Sequence, residues 1–213
     1  MSTLKTTNLQ HPSAGVPAIV LDADGDATYA GVHDFSAATV TGAPQGLVHI
    51  NTTTFTAQSS VSINSIFSAS FENYKVLVNI TDASPTNQAL LMRLRASGSD
   101  NSTGNYVTNE LYQTSTTVGG RVNFTGNDDW YLGIVDATFD DRYSANLEII
   151  APQAATNTKA LLDSGNASST GDYYQNRHAL FFNAATQFDG FSLFLTSGNI
   201  TGTIRVYGYS NGA

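Results

Sequence analysis

The chain has no cysteine. That excludes a disulfide framework, a thiolate zinc or iron–sulfur site and a cysteine nucleophile, and it leaves the redox compartment unmarked. Charge is scarce too: Asp, Glu, Lys and Arg make up 12% of the residues, with 17 acidic against 9 basic side chains and a net charge of −8. Such a surface repels phosphate backbones, and without clustered Lys and Arg nucleic acid is not an expected ligand. The longest stretch free of Asp, Glu, Lys and Arg, residues 35–71, is too rich in Ser, Thr, Asn and Gln to sit in a bilayer, so no membrane insertion is expected. The opening MSTLKTTNLQHPSAG carries one Lys and no apolar core of the secretory kind, so Sec export is not expected either.

Helix formers are also few. Glu, Lys, Gln, Arg and Met total 22 residues, whereas Val, Ile, Thr, Phe, Tyr and Trp total 71. The second set fits a pleated surface and the first fits helices, so the composition points to strands.

Periodicity agrees. Over residues 74–81, Tyr74, Val76, Val78 and Ile80 share one face and Lys75, Leu77, Asn79 and Thr81 the other, the pattern of a half-buried antiparallel strand. Leu90, Met92, Leu94 and Ala96 repeat it, and the intervening DASPTNQ supplies turn residues, so the two segments read as a hairpin. Further strands are expected over 106–114, 121–125, 130–135, 145–150, 158–162, 174–182, 191–196 and 203–209, with a 3₁₀ or helical turn around 63–68. About ten strands spaced by Gly, Asn and Asp turns predict an all-β fold, an antiparallel β-sandwich of jelly-roll type.

At 213 residues the chain is long enough for one core without a metal or disulfide. Residues 1–58 read as an extended N-terminal arm and 59–213 as the β-sandwich body. The arm is rich in Thr, Ala, Ser and Gly and holds Pro12, Pro17 and Pro44 of the five prolines. It cannot bury enough apolar surface to offset its own ordering entropy, so a partner surface is expected to hold it, through Leu4, Leu9, Ile19 and Leu21. Within it, AIVLDADGDATYAG reads as a short hairpin turning at Asp24 and Gly25.

Chemical motifs are sparse. Asp22, Asp24 and Asp26 match the first ligands of a calcium loop, but Ala27 stands where glycine is required and His33 where the bidentate Glu belongs, so a turn is the better reading. Asp128 with Asp129, and Asp140 with Asp141, would point to opposite faces of a strand and read as solvated loops. His11, His33, His49 and His178 are scattered, and HExxH, GxSxG and phosphate-loop motifs are missing. Glycoside hydrolysis needs two carboxylates at a set separation, and nothing in the sequence brings any two together. Six Asn-x-Ser/Thr sequons, at Asn51, Asn79, Asn101, Asn123, Asn166 and Asn199, are near the number expected by chance. No metal, cofactor or catalytic residue is assigned. Trp130 with Tyr131, and Tyr173 with Tyr174, open strands after polar turns and are candidates for stacking on sugar rings, with core packing the alternative.

The strings STLKTTNLQHPSAG and AIVLDADGDATYAG resemble the N-terminal arms of tail-fibre and other virion proteins of marine and cyanobacterial bacteriophages. SINSIFSASFENYKVLVNI, over 62–80, and GTIRVYGY, over 202–209, are similar to the β-rich bodies of that group. The resemblance implies a structural, non-enzymatic virion protein, a homotrimer or other homo-oligomer at the particle surface. Its arm would dock on other virion proteins, and its body would point outward as a short fibre or a head or tail decoration, for stabilisation or host attachment. The chain lacks the repetitive shaft of long fibres. The alternative reading is a non-catalytic carbohydrate-binding sandwich, and a glycan-cleaving enzyme comes third.

Overall fold

The computed structural model describes residues 8–9, 19–21, 27–29, 46–85, 87–136, 143–167 and 173–210, with backbone alone for the first three segments and for 122–126. The chain divides into two compact units, Met1–Pro44 and Gln45–Ala213.

The first unit contains β1 (Asn8–Leu9), β2 (Ile19–Leu21) and β3 (Ala27–Tyr29). They form a small antiparallel sheet in that order, and Leu21 faces Ala27 across β2 and β3, so the hairpin expected in the arm is present. Its Asp22, Asp24 and Asp26 lie outside the described residues.

The second unit holds thirteen strands among its described residues: β4 (Leu47–Gln58), β5 (Ser60–Ile63), β6 (Asn73–Ser84), β7 (Gln88–Ala96), β8 (Ser99–Asp100), β9 (Tyr106–Gln113), β10 (Val118–Asn127), β11 (Trp130–Val135), β12 (Tyr143–Ile150), β13 (Asn157–Ala167), β14 (Tyr173–Ala185), β15 (Gly190–Leu195) and β16 (Asn199–Tyr209). Eight make one antiparallel sheet in the order β10-β9-β14-β13-β12-β6-β16-β4. Five make the other, β11-β7-β15-β5 with β8 paired to β7. The two sheets pack as a β-sandwich around one apolar core, to which β6 gives Tyr74, Val76, Val78 and Ile80 and β7 gives Leu90, Met92 and Leu94.

Three large aromatics of this core have polar ends that find a backbone group of the opposite sheet. Tyr106 of β9 accepts the Leu94 N–H of β7 at 3.0 Å, Trp130 of β11 donates to the Phe181 carbonyl of β14 at 2.8 Å, and Tyr143 of β12 donates to the Leu132 carbonyl of β11 at 2.7 Å. A buried hydroxyl or indole N–H left unpaired would cost about 1–3 kcal/mol, so these bonds fix the position of one sheet over the other. Burial pushes the hydroxyls of Tyr106 and Tyr143 well above the usual tyrosine range.

Three expectations are corrected. The body begins at Gln45 and not at residue 59, because β4 pairs with β16 from Leu47 to Gln58 at the edge of the large sheet. That strand is rich in Thr and buries only Phe55, so its composition matches the arm it follows. Segments 74–81 and 90–97 are not a hairpin. β6 and β7 belong to different sheets and face each other through the core. One apolar face per strand satisfies either arrangement, and alternation alone does not choose between pairing side by side and stacking face to face. Residues 63–68 are not helical: the N–H groups of Ile66 and Phe67 both bond to the Asp189 carbonyl, at 2.9 and 3.1 Å.

Candidate functional site

Three neighbouring strands of the large sheet, β9, β14 and β13, begin or end in the apolar core and then leave it. On the inner face of β14 the side chains run Phe182, Leu180, His178, Asn176, Tyr174; on β13 they run Ala160, Leu162, Ser164, Asn166; on β9 they run Tyr106, Thr108, Glu110, Tyr112. Each row changes from apolar to polar at about the same height, and its first polar members, His178, Asn176 and Ser164, are still buried beneath β11. This edge strand of the smaller sheet rests against the inner face, with the Tyr131 N–H 3.3 Å from the Thr108 hydroxyl.

Beyond that line lies a cleft of about 530 Å³, within the range of small-ligand sites. Glu110, Tyr112, Tyr174 and Asn176 rise from its floor, Arg121 comes from β10, and Tyr131 and Ile134 come from β11. Thr114, Thr116 and Thr117 from the β9–β10 turn close one side.

Glu110 is the centre of its electrostatics. It lies directly opposite Arg121 on one neighbouring strand and opposite His178 on the other. Its Oε2 is 3.4 Å from an Arg121 nitrogen and its Oε1 is 3.3 Å from His178 Nε2, with only 4% of the carboxylate side chain exposed. Neither contact has hydrogen-bond geometry, and Glu110 Oε2 and both imidazole nitrogens are buried without a hydrogen bond. Arg121 is half exposed, and its guanidinium is 5.8 Å from the ring centres of both Tyr112 and Tyr131. Burial and then the Glu110 carboxylate raise the Tyr131 hydroxyl above its usual range, against the opposing pull of Arg121. Below this row, Asn176 Nδ2 donates to Asn166 Oδ1 at 3.2 Å.

Two glycines make room for the arrangement. Gly119 faces Tyr112 across β10 and β9, and a Cβ there would fall 2.5 Å from the tyrosine oxygen. Gly133 has φ of +134° where β11 bulges between Tyr131 and Gly133. A side chain there would be strained and would press on Tyr143 and Asn176.

The structure divides each aromatic pair singled out in the sequence. Tyr131 and Tyr174 line the cleft, whereas Trp130 is fully buried in the core and Tyr173 is 69% exposed on the other face of its strand. Stacking by Trp130 is therefore ruled out, since adjacent strand residues point to opposite faces. Tyr112, Glu110, Arg121 and the buried His178 were not singled out as a group. Their only signal in the sequence was polar residues at inner-face positions of otherwise apolar strands. Leu4 lies outside the described residues, and Leu9, Ile19 and Leu21 are backbone positions of β1 and β2. Asp128 and Asp129 both contact Arg93, at 2.5 and 3.5 Å, while Asp140 and Asp141 lie outside the described residues. Burial, and then its neighbour Asp128, push the Asp129 carboxyl up to about 6 despite Arg93.

Chemically the cleft offers aromatic surface, hydroxyls, amides and one charge-balanced pair. Glu110 is the single carboxylate among its described lining residues. Comparison with known protein families and with curated proteins finds no match to this chain.

Proposed function

We propose that the protein is a non-enzymatic structural component of a bacteriophage particle, a short fibre or decoration protein, whose sandwich body binds a glycan of the host surface. The observation that carries the binding role is the tyrosine-lined cleft between the large sheet and β11. Aromatic side chains beside amides and a paired charge suit a ligand with alternating apolar and hydroxyl faces. The virion setting is supported by the resemblance of the arm and of two body segments to virion proteins of marine phages. It is also supported by the separation of Met1–Pro44 from the body as a unit of its own. The arm is the part that attaches to neighbouring virion proteins, and self-association into a trimer belongs to the same reading.

Binding is preferred over catalysis because glycoside hydrolysis uses two carboxyl groups about 5–10 Å apart, and the lining residues described supply Glu110 alone. A printed glycan panel probed with the full chain, alongside immunogold labelling of purified particles, tests the proposal. Saturable binding to at least one glycan and labelling of the particle surface are expected. A folded protein that binds none, or label confined to unassembled material, would contradict it.

A further inference from the structure

We infer that the cleft selects neutral saccharides and rejects uronic acids and other anionic sugars, because Glu110 cancels the charge of Arg121. This rests on the reading of the body as a glycan-binding module and adds the charge class of the ligand.

Arg121 is the one cation among the described lining residues, and the Glu110 carboxylate lies 3.4 Å from it. The remaining polar lining is neutral: amides of Asn87, Asn166 and Asn176 and hydroxyls of threonines and tyrosines. An anionic sugar reaching for Arg121 would bring a second negative charge beside a carboxylate that is 4% exposed. Like charges repel more strongly in such a desolvated site than in water, and the chain's net charge of −8 adds to the repulsion. A neutral pyranose meets no such penalty. Its C–H face has the rings of Tyr131 and Tyr174 to lie on. One hydroxyl accepts from the guanidinium, which has five N–H donors and approaches Glu110 through one of its terminal nitrogens. A neighbouring hydroxyl exchanges hydrogen bonds with the asparagine amides. Glu110 acts here as a positioning residue: wedged between His178 and Arg121, it holds the guanidinium between two tyrosines and sets its net charge to zero.

The test is calorimetric titration of the full chain with soluble mannan, galactan, alginate and polygalacturonate at low salt. The wild type is expected to bind a neutral polymer and neither polyuronate. Arg121→Ala should weaken the neutral interaction about tenfold, and Glu110→Gln, which keeps the shape but uncovers the arginine charge, should gain polyuronate binding. Wild-type binding to polyuronates alone would overturn the charge assignment and leave glycan recognition standing. A Glu110→Gln protein that folds and still rejects polyuronates would overturn the role given to Glu110. Binding of none of the polymers, together with a blank glycan panel, would remove the glycan reading and this inference with it. Should Glu110→Gln not fold, the wild-type comparison of neutral and uronate polymers decides the matter.

Discussion

Glu110 and His178 face each other across β9 and β14, 3.3 Å apart between Oε1 and Nε2, and both are almost wholly withdrawn from solvent. The contact lacks hydrogen-bond geometry, but an apolar side chain in place of the imidazole would leave the buried Glu110 carboxylate facing hydrocarbon on that side. His178→Leu should therefore destabilise the fold by about 1–3 kcal/mol, read by urea unfolding. Pairing it with Glu110→Gln should recover part of the loss. A cost within the error of the method for the single variant would show that the two groups are not coupled.

Trp130 is the only tryptophan and belongs to the core, against Tyr106 with rings 5.7 Å apart and crossed at 87°. Native fluorescence should be blue-shifted and should move red on unfolding. Trp130→Phe removes the bond to the Phe181 carbonyl and leaves that carbonyl without its indole donor, at a cost of about 1–3 kcal/mol, while glycan affinity stays unchanged. Loss of affinity with stability intact would return Trp130 to the binding surface.

Gly119 opposes Tyr112 so closely that a methyl group displaces the ring rather than the strand, since the obstructed atoms are the far end of a side chain. Gly119→Ala should leave the melting temperature nearly unchanged and weaken cleft binding several-fold. Equal affinity for variant and wild type would mean that Tyr112 does not touch the ligand.

Asp129 has a carboxyl raised to about 6, so the folded protein holds its proton more tightly than the unfolded chain does. This favourable contribution is present below the ordinary aspartate range and is lost as pH rises through about 6. Asp129→Asn should accordingly raise the melting temperature at pH 7.5 and have little effect at pH 4. The same gain at both pH values would contradict the assignment.

Met1–Pro44 is a compact unit separate from the body, so deleting it should leave the sandwich folded, with unaltered glycan binding, and abolish incorporation into particles. A truncated protein that still enters particles would take the anchoring role from the arm.

How much of this was legible in the sequence follows from where the strands keep a regular apolar face. The pattern over residues 130–135 gives the same bounds as β11, because Trp130, Leu132 and Val135 bury their side chains. The strand expected over 158–162 continues to Ala167, since after Leu162 the inward positions are Ser164 and Asn166. The pattern fails there because Asn166 lines the cleft and Ser164 sits beside Asn176 beneath β11, outside the apolar core. β4 was hidden for a related reason: at the sheet edge its Thr-rich stretch needs no apolar face. The separation of β6 from β7 depends on how layers stack, which alternation along one strand does not encode. Tyr131 and Tyr174 were legible as aromatics at strand starts, but that they share one cleft follows only from the pairing of β9, β14 and β13 and from β11 lying across them.

An amide chemical-shift map of the full chain, titrated with the tightest-binding member of the glycan panel, locates the ligand on the body. Saturable shifts should concentrate on Glu110, Tyr112, Tyr131, Ile134, Tyr174 and Asn176. Shifts confined to another face of the sandwich, or none at saturating glycan, would contradict the account.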